Sequence, residues 1–207
     1  VQSFRSMFSG CESVKELDVF GFETGNATEM LGMFSGCASV KKLDVSGFDT
    51  TKVYDMTRMF SGCSSLTDFT FGEGKNMQQV LSISSMFEGC KSLKTLELEL
   101  YLPKVTRMEY FFKDCSSLKS AKEIDIDAFY LKNARGMFQG CSSLEEEMDA
   151  FNSLSVEDIS YLYKDCNSLK EIKLPAHNAY RLTNIDWAFA GCSSLQSLDI
   201  SQFDTKN

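Results

Sequence analysis

The sequence has few of the residues on which enzymes usually depend. Its 207 residues include one histidine, one tryptophan and two prolines. His177 is therefore the sole candidate for a histidine general base, and no serine or cysteine stands in a context that would make it a partner nucleophile. We expect His177 to lie in a solvent-exposed loop, and we expect the protein not to be an enzyme.

Long apolar runs and an excess of basic residues are also missing. No apolar stretch approaches the roughly 18 residues of a membrane-spanning helix, so no direct membrane insertion is expected. Asp and Glu outnumber Lys and Arg by 29 to 21, which gives a net charge of −8. A nucleic-acid-binding surface is basic, so this balance argues against nucleic acid as a partner.

The cysteines form no C-x-x-C pair, which argues against a zinc site. They recur instead at intervals of 25 to 27 residues. The eight positions are Cys11, Cys37, Cys63, Cys90, Cys115, Cys141, Cys166 and Cys192. Alignment on them divides the chain into eight repeats with approximate bounds 1–26, 27–52, 53–79, 80–104, 105–130, 131–155, 156–181 and 182–207. The sequence thus predicts one solenoid in which each repeat packs on the next.

An aromatic residue stands three positions before each cysteine. These residues are Phe8, Phe34, Phe60, Phe87, Phe112, Phe138, Tyr163 and Phe189. We assign them and the cysteines a structural role, because stacking the repeats places like on like in the core. Stacked cysteines could approach within disulfide distance, but their Cβ vectors would be parallel. We therefore expect buried free thiols that act as small hydrophobic residues.

Each repeat has a helical half and a strand half. Before the cysteine, apolar residues recur with a helical rhythm, and Gly or Asp just before the cysteine suits a left-handed helix stop. After the cysteine, the pattern L-x-x-L-x-L ends in the alternation of a short strand. The predicted fold is an α/β solenoid of the leucine-rich-repeat type, a right-handed coil of eight units. Each unit of about 26 residues contributes one short parallel strand and one helical or 3-10 segment.

Two repeats depart from this pattern. In the fifth repeat the apolar pair slips to Ile124 and Ile126, and in the sixth Glu147 and Asp149 occupy the inward positions. We expect an irregular or bulged strand in both.

The motif M-F-x-G-C-x-S-L-x-x-L-D-[VI]-S-x-F-D-T resembles the 26-residue repeat of the BspA-like leucine-rich-repeat surface proteins. The clearest copies are MFSGCASVKKLDVSGFDTTKVYDMTR at 33–58 and AFAGCSSLQSLDISQFDTKN at 188–207. The resemblance implies a secreted or surface-anchored protein and a role in binding host or neighbouring-cell proteins. The family offers no catalytic residues to carry over.

The outward positions of the predicted strands are the candidate partner-binding residues. They are Glu16, Asp18, Lys42, Asp44, Asp68, Thr70, Thr95, Glu97, Glu171, Lys173 and Asp199. A solvated face on which lysines compensate the acids is the simpler interpretation, and a protein-binding face is the alternative. The D-x-D-x-D spacing of calcium loops is missing, so we expect no metal and no cofactor.

Two functional hypotheses follow. The first is an extracellular adhesion module that binds a protein partner, with Phe20, Tyr101 and Tyr130 as candidate exposed anchors. The second is a spacer that projects another domain and binds nothing itself. No atypical capping repeat is visible, so we expect a segment of a longer array, with end-to-end self-contact as a further possibility.

Overall fold

The computed structural model describes residues 1–72, 77–146, 156–173 and 181–200. Within them the chain forms a repeat solenoid whose strands are short and parallel. The strands are β1 (Lys42–Asp44), β2 (Asp68–Thr70), β3 (Leu98–Tyr101), β4 (Ile124–Asp127), β5 (Glu171–Lys173) and β6 (Ser197–Asp199). They pair as β1 with β2, β3 with β4, and β5 with β6, so the described strands form three separate two-stranded sheets.

The segment before each cysteine is a run of turns, and the predicted helix is wrong. We call the residues from eight positions before each cysteine up to the cysteine the turn segment. In the third repeat, the amide of Phe60 donates to the Met86 carbonyl of the next repeat at 2.9 Å, and that of Gly62 donates to Glu88 at 2.7 Å. The amide of Cys63 instead donates back to the Phe60 carbonyl at 3.2 Å. Alternate amides therefore join neighbouring repeats, whereas an α-helix would use all of them internally.

Two left-handed residues make this alternation possible. The residue before every cysteine has positive φ, from 59° at Asp114 to 77° at Gly191, as Gly or Asp at this position predicted. The residue five before every cysteine has positive φ as well, from 52° at Ser6 to 61° at Tyr161. Only Gly32 and Gly136 are glycines at this second position, so the sequence carried no glycine signal for it.

The core is built from like residues lying over like. Seven aromatic rings stack in one line from Phe8 to Tyr163, with successive centroids 5.2–5.7 Å apart. The edge of Phe69, the inward residue of β2, meets the Phe60 ring at 4.8 Å. Because strand and turn side chains meet in this core, their outward side chains point to opposite sides of the solenoid. We call these sides the sheet face and the turn face.

The thiols hold the stack together by hydrogen bonds. Each cysteine from Cys37 to Cys192 donates its S–H to the carbonyl oxygen of the core aromatic residue in the preceding repeat, at 3.0–3.3 Å. All eight cysteines are free, and six are fully buried, with Cys11 and Cys192 half-buried in the outermost repeats. A thiol thus fills a small apolar space and also supplies a weak donor to a buried carbonyl.

The strand segments keep a less regular register than the turn segments. Strands β1, β2, β5 and β6 begin five residues after their cysteines, but β3 begins eight and β4 nine residues after theirs. Leu98 and Leu100 of β3 and Ile124 and Ile126 of β4 face the core. The predicted slip to Ile124 and Ile126 is therefore confirmed. The strand of the fifth repeat, β4, is irregular in where it begins, but it has no bulge, since β3 and β4 pair in register over four residues.

Some residues with sequence-based expectations cannot be compared with the structure. Glu147, Asp149 and His177 lie outside the described residues. Among the residues that the structure describes, no helix is long and apolar enough to cross a membrane.

Candidate functional site

The predicted partner-binding residues lie on the sheet face, although not all of them lie on strands. Lys42 and Asp44 are the outward residues of β1, and Asp68 and Thr70 those of β2. Glu171, Lys173 and Asp199 lie on β5 and β6. Glu16 and Asp18 precede the first described strand, and Thr95 and Glu97 precede β3, so their placement on strands was wrong. All of these side chains are exposed, except that the Lys173 side chain is not among those described.

At its amino-terminal end the sheet face carries balanced charge. Lys42 lies directly opposite Asp68 in the β1–β2 register, and the Lys42 Nζ is 3.3 Å from an Asp68 carboxylate oxygen. A groove of about 730 Å³ here is lined by three lysines and three acids, together with Phe20. The charged residues are Lys15, Lys41, Lys42, Glu16, Asp18 and Asp44. We call it the mixed groove, because its lining charges compensate one another.

The middle of the sheet face carries unbalanced negative charge. Where the sheet is interrupted between β2 and β3, a groove of about 640 Å³ opens, and five carboxylates line it. They are Asp68, Glu97, Glu99, Glu123 and Asp125. Asp68 is paired with Lys42, which lies outside the groove, and no Lys or Arg is among the described residues that line it. We call this the acidic groove. It exists because β3 starts late, which leaves Thr95–Glu97 outside any strand ladder.

Acidic residues lie opposite each other along the β3–β4 pair. Glu99 lies directly opposite Asp125, and Tyr101 lies opposite Asp127. Burial raises the pKa of the Asp127 carboxyl, with a smaller contribution from the neighbouring Asp125 charge. Like charges directly opposite each other destabilise a strand pair. The facing acids on β3 and β4 therefore lower the stability of this strand pair. They either serve a purpose other than stability or are tolerated despite the loss.

The turn face carries a cluster that sequence reasoning missed. The Arg135 Nε donates to the Tyr110 hydroxyl at 2.7 Å, and its guanidinium carbon lies 4.4 Å from the centre of the Tyr161 ring. The Tyr161 ring stacks on Trp187, with centroids 6.4 Å apart and planes 14° from parallel. We call Tyr110, Arg135, Tyr161 and Trp187 the aromatic ladder. It extends over the last four repeats, and Trp187 is 61% exposed.

The aromatic residues of this ladder occupy a costly backbone conformation. Tyr110, Tyr161 and Trp187 have φ values of 58°, 61° and 58°. An L-residue with a bulky side chain pays roughly 1–2 kcal/mol for left-handed φ, a cost that glycine avoids. In the sixth repeat Gly136 takes this position, and a Cβ there would lie 2.6 Å from Tyr110 ring carbons. Glycine is thus used in the sixth repeat, where the Tyr110 ring passes, and most other repeats carry a non-glycine residue at this position.

Burial disfavours ionisation of the buried cysteines. Burial raises the pKa of the Cys37 thiol to about 11 and that of Cys63 to about 12. Burial also raises the pKa of the Cys90, Cys115 and Cys141 thiols well above the ordinary value of a cysteine. A thiol must ionise to act as a nucleophile or to bind a metal. Across the described ranges, no group of three or more Cys, His, Asp or Glu side chains is arranged to hold a metal ion.

Family comparison agrees with the geometry. The model of the family described as "Mycoplasma protein of unknown function, DUF285" matches residues 1–97, 70–171 and 132–207. The chain belongs to the DUF285 family. DUF285 is a repeat family related to the BspA-type repeats, which confirms the resemblance found in the sequence. The DUF285 match names no enzymatic activity.

Two solved structures are similar to this DUF285 chain. A leucine-rich cell surface protein from Faecalibacterium prausnitzii A2-165 is 17% identical, with a TM-score of 0.39, over 98% of this chain and 71% of that one. A leucine-rich-repeat protein from Bacteroides ovatus ATCC 8483 is 18% identical, with a TM-score of 0.32, over 94% of this chain and 69% of that one. Among curated proteins none matches the chain.

Proposed function

We propose that the chain is a non-catalytic binding module of a cell-surface protein, and that its sheet face binds a protein partner. The acidic groove is the observation that carries this proposal. Five carboxylates line one groove of about 640 Å³, while the mixed groove on the same face is balanced. A surface with no binding role has no reason to concentrate one sign of charge at the break of its sheet, since the repulsion costs stability.

The partner chemistry follows from the groove. A Lys- or Arg-rich segment would complement the carboxylates and increase the rate of association at low salt. Tyr101 points to the same side as Glu99 on β3 and is 47% exposed. An exposed tyrosine beside carboxylates can contact the stem of a basic side chain and the cation itself. The partner is therefore a protein with an exposed basic segment.

Two features outside the acidic groove are consistent with the spacer hypothesis. The continuous stack of core rings from Phe8 to Tyr163 gives a rigid body, and the mixed groove is the self-compensating surface expected of a stalk. End-to-end contact between copies stays a prediction. A spacer would show no difference between the two grooves in any binding assay, so the two hypotheses separate in one experiment.

The experiment compares two charge-reversed variants of equal net charge. One carries Glu97→Lys, Glu99→Lys and Glu123→Lys in the acidic groove, and the other carries Glu16→Lys, Asp18→Lys and Asp44→Lys in the mixed groove. Immobilised protein would be tested against a lysine-rich peptide and against extract from partner cells, at low and physiological salt. We expect the wild type and the mixed-groove variant to bind alike and the acidic-groove variant to lose binding. Equal binding by all three would contradict the proposal, and no binding by any would favour the spacer.

A further inference from the structure

The gap between β2 and β3 is wider than the spacing of neighbouring strands. Paired parallel strands lie about 4.8 Å apart, so a strand placed between two others needs about 9.6 Å between them. Every Cα atom of β2 is more than 8 Å from every Cα atom of β3. The acidic groove, with its volume of about 640 Å³, opens at this gap. The gap is therefore too wide for β2 and β3 to pair, and it leaves space for an extended chain between them.

The edge of β2 that faces the gap has unpaired backbone groups. On its other edge, the Asp68 amide donates to the Lys41 carbonyl at 3.0 Å. The Thr70 carbonyl, on that same edge, accepts from the Val45 amide at 2.9 Å. Backbone groups of successive strand residues point to alternate edges, so those of Phe69 point into the gap. No described residue on that side forms a backbone hydrogen bond with them.

Strand β3 presents a second unpaired edge to the same gap. The amides of Leu98 and Leu102 donate to carbonyls of the next repeat at 3.1 and 2.8 Å. The backbone groups of Glu99 and Tyr101 therefore point away from β4 and toward β2. Within the described ranges they have no backbone partner on that side. Open strand edges of this kind are templates for pairing with another chain.

The lining of the gap indicates which side chains an added strand would carry. Successive side chains of a strand point to opposite faces of a sheet. Those that point outward would meet the five carboxylates of the acidic groove. Those that point inward would meet four apolar lining residues that belong to the core or pack against it, namely Phe69, Phe71, Leu96 and Leu98. A strand in which basic residues alternate with apolar ones would match both sides.

We propose that the acidic groove binds an extended segment of the partner protein as an added strand between β2 and β3, and that basic and apolar residues alternate in this segment. This binding mode rests on the proposed function, because it applies to the same groove. Backbone hydrogen bonds to Phe69, Glu99 and Tyr101 supply affinity, and the alternating side chains supply specificity. The basic side chains also place cations beside the facing acids of β3 and β4, which offsets their repulsion.

Two synthetic peptides of equal charge test the added strand. One is acetyl-Lys-Val-Lys-Val-Lys-Val-Lys-amide, and the other has the same sequence with an N-methyl group on each valine amide. The methyl groups remove the donors along one edge of the peptide and block its approach to a neighbouring strand. Both would be titrated against the wild-type chain by calorimetry at physiological salt. We expect the methylated peptide to bind at least about tenfold more weakly.

Hydrogen exchange followed by NMR locates the added strand on the protein. With the unmethylated peptide bound, the amides of Phe69, Glu99 and Tyr101 should exchange at least about tenfold more slowly than in the free chain. The amides of Leu98 and Leu102 are the internal control, because they already donate to the next repeat. Their exchange should change little.

The outcomes separate this binding mode from the proposed function. Equal affinity of the two peptides would overturn the added strand, and so would binding without slower exchange at Phe69, Glu99 and Tyr101. Failure of both peptides to bind would overturn it as well. The proposed function fails by a different result, namely if the lysine-rich peptide and the partner-cell extract bind the acidic-groove variant as well as they bind the wild type.

Discussion

The turn segments and the strand segments of the same repeats behave differently. Before the cysteine, hydrogen bonds at fixed positions join repeat to repeat, as from Phe34 to Met59 and from Phe60 to Met86. After the cysteine, the described strands form three separate pairs, and β3 starts three residues later than β2 relative to its cysteine. The difference teaches that the turn segments hold the solenoid together. The strand segments are then free to vary in register and charge. The acidic groove lies at such a place, between β2 and β3.

The largest expected effect comes from alkaline pH, because it acts on all of the buried thiols at once. Burial raises the pKa of these thiols above the ordinary value of 9.0, to about 11 for Cys37 and about 12 for Cys63. The unfolded chain ionises above pH 9 while the folded chain does not, so stability is complete below pH 9 and falls as pH rises toward the folded-state pKa values. Each buried thiol should remove about 1 kcal/mol per pH unit in this window. Urea unfolding from pH 7 to 10.5 measures this, and a flat profile would contradict the buried thiol stack.

Truncation of one core ring tests whether the turn segments carry the stability. Phe60 is fully buried between Phe34 and Phe87, whose ring centroids lie 5.7 and 5.2 Å away. Phe60→Ala should lower the free energy of unfolding by roughly 3–5 kcal/mol. Phe20→Ala is the control, because Phe20 is 77% exposed on the sheet face. Equal losses for the two variants, measured by urea unfolding, would mean that the stack is not the core.

The left-handed position before the cysteine can be tested with a matched pair. Gly62 has φ of 74°, and a Cβ there would lie 3.4 Å from the Gly36 backbone nitrogen. Gly62→Val should cost about 2 kcal/mol through its strained φ. Gly62→Asp should cost less, because Asp114 and Asp165 occupy the same position in other repeats. Thermal unfolding compares them, and a valine variant as stable as the aspartate variant would argue against the turn geometry.

The smallest effect is expected on the sheet face. Asp44 is exposed at the outward side of β1. Asp44→Asn should change stability by less than about 0.5 kcal/mol, since surface substitutions away from buried features rarely do more. A larger decrease in the free energy of urea unfolding would show that the strand segments contribute more to stability than we infer from their comparison with the turn segments.

The sequence predicted which residues recur in the core of each repeat. It did not predict the backbone conformation of the turn segments. The positions of the cysteines and of Phe60 and its equivalents predicted a stacked core, and the apolar slip to Ile124 and Ile126 located β4. The helical rhythm before each cysteine was misleading, because i, i+3 spacing also arises when every second amide bonds to a neighbouring repeat. Non-glycine residues at the second left-handed position gave no signal of positive φ.

The candidate sites were less predictable than the fold. Single strand positions suggested the sheet face, but the acidic groove depends on the late start of β3, which places Glu99 and Asp125 opposite each other. The aromatic ladder joins residues 25 or 26 positions apart in sequence, such as Arg135 and Tyr161. Its three aromatic members could have been found by aligning the fifth position before each cysteine, where Tyr110, Tyr161 and Trp187 recur.

Hydrogen exchange followed by NMR tests the difference between turn and strand segments most directly. Amides that donate to the next repeat, such as those of Phe34, Phe60 and Gly62, should exchange slowly and at similar rates through the array. The amides of Thr95, Leu96 and Glu97, for which the described structure gives no backbone acceptor in a neighbouring repeat, should exchange faster by orders of magnitude. Fast exchange in the turn segments, or equal protection of Thr95–Glu97, would contradict the account.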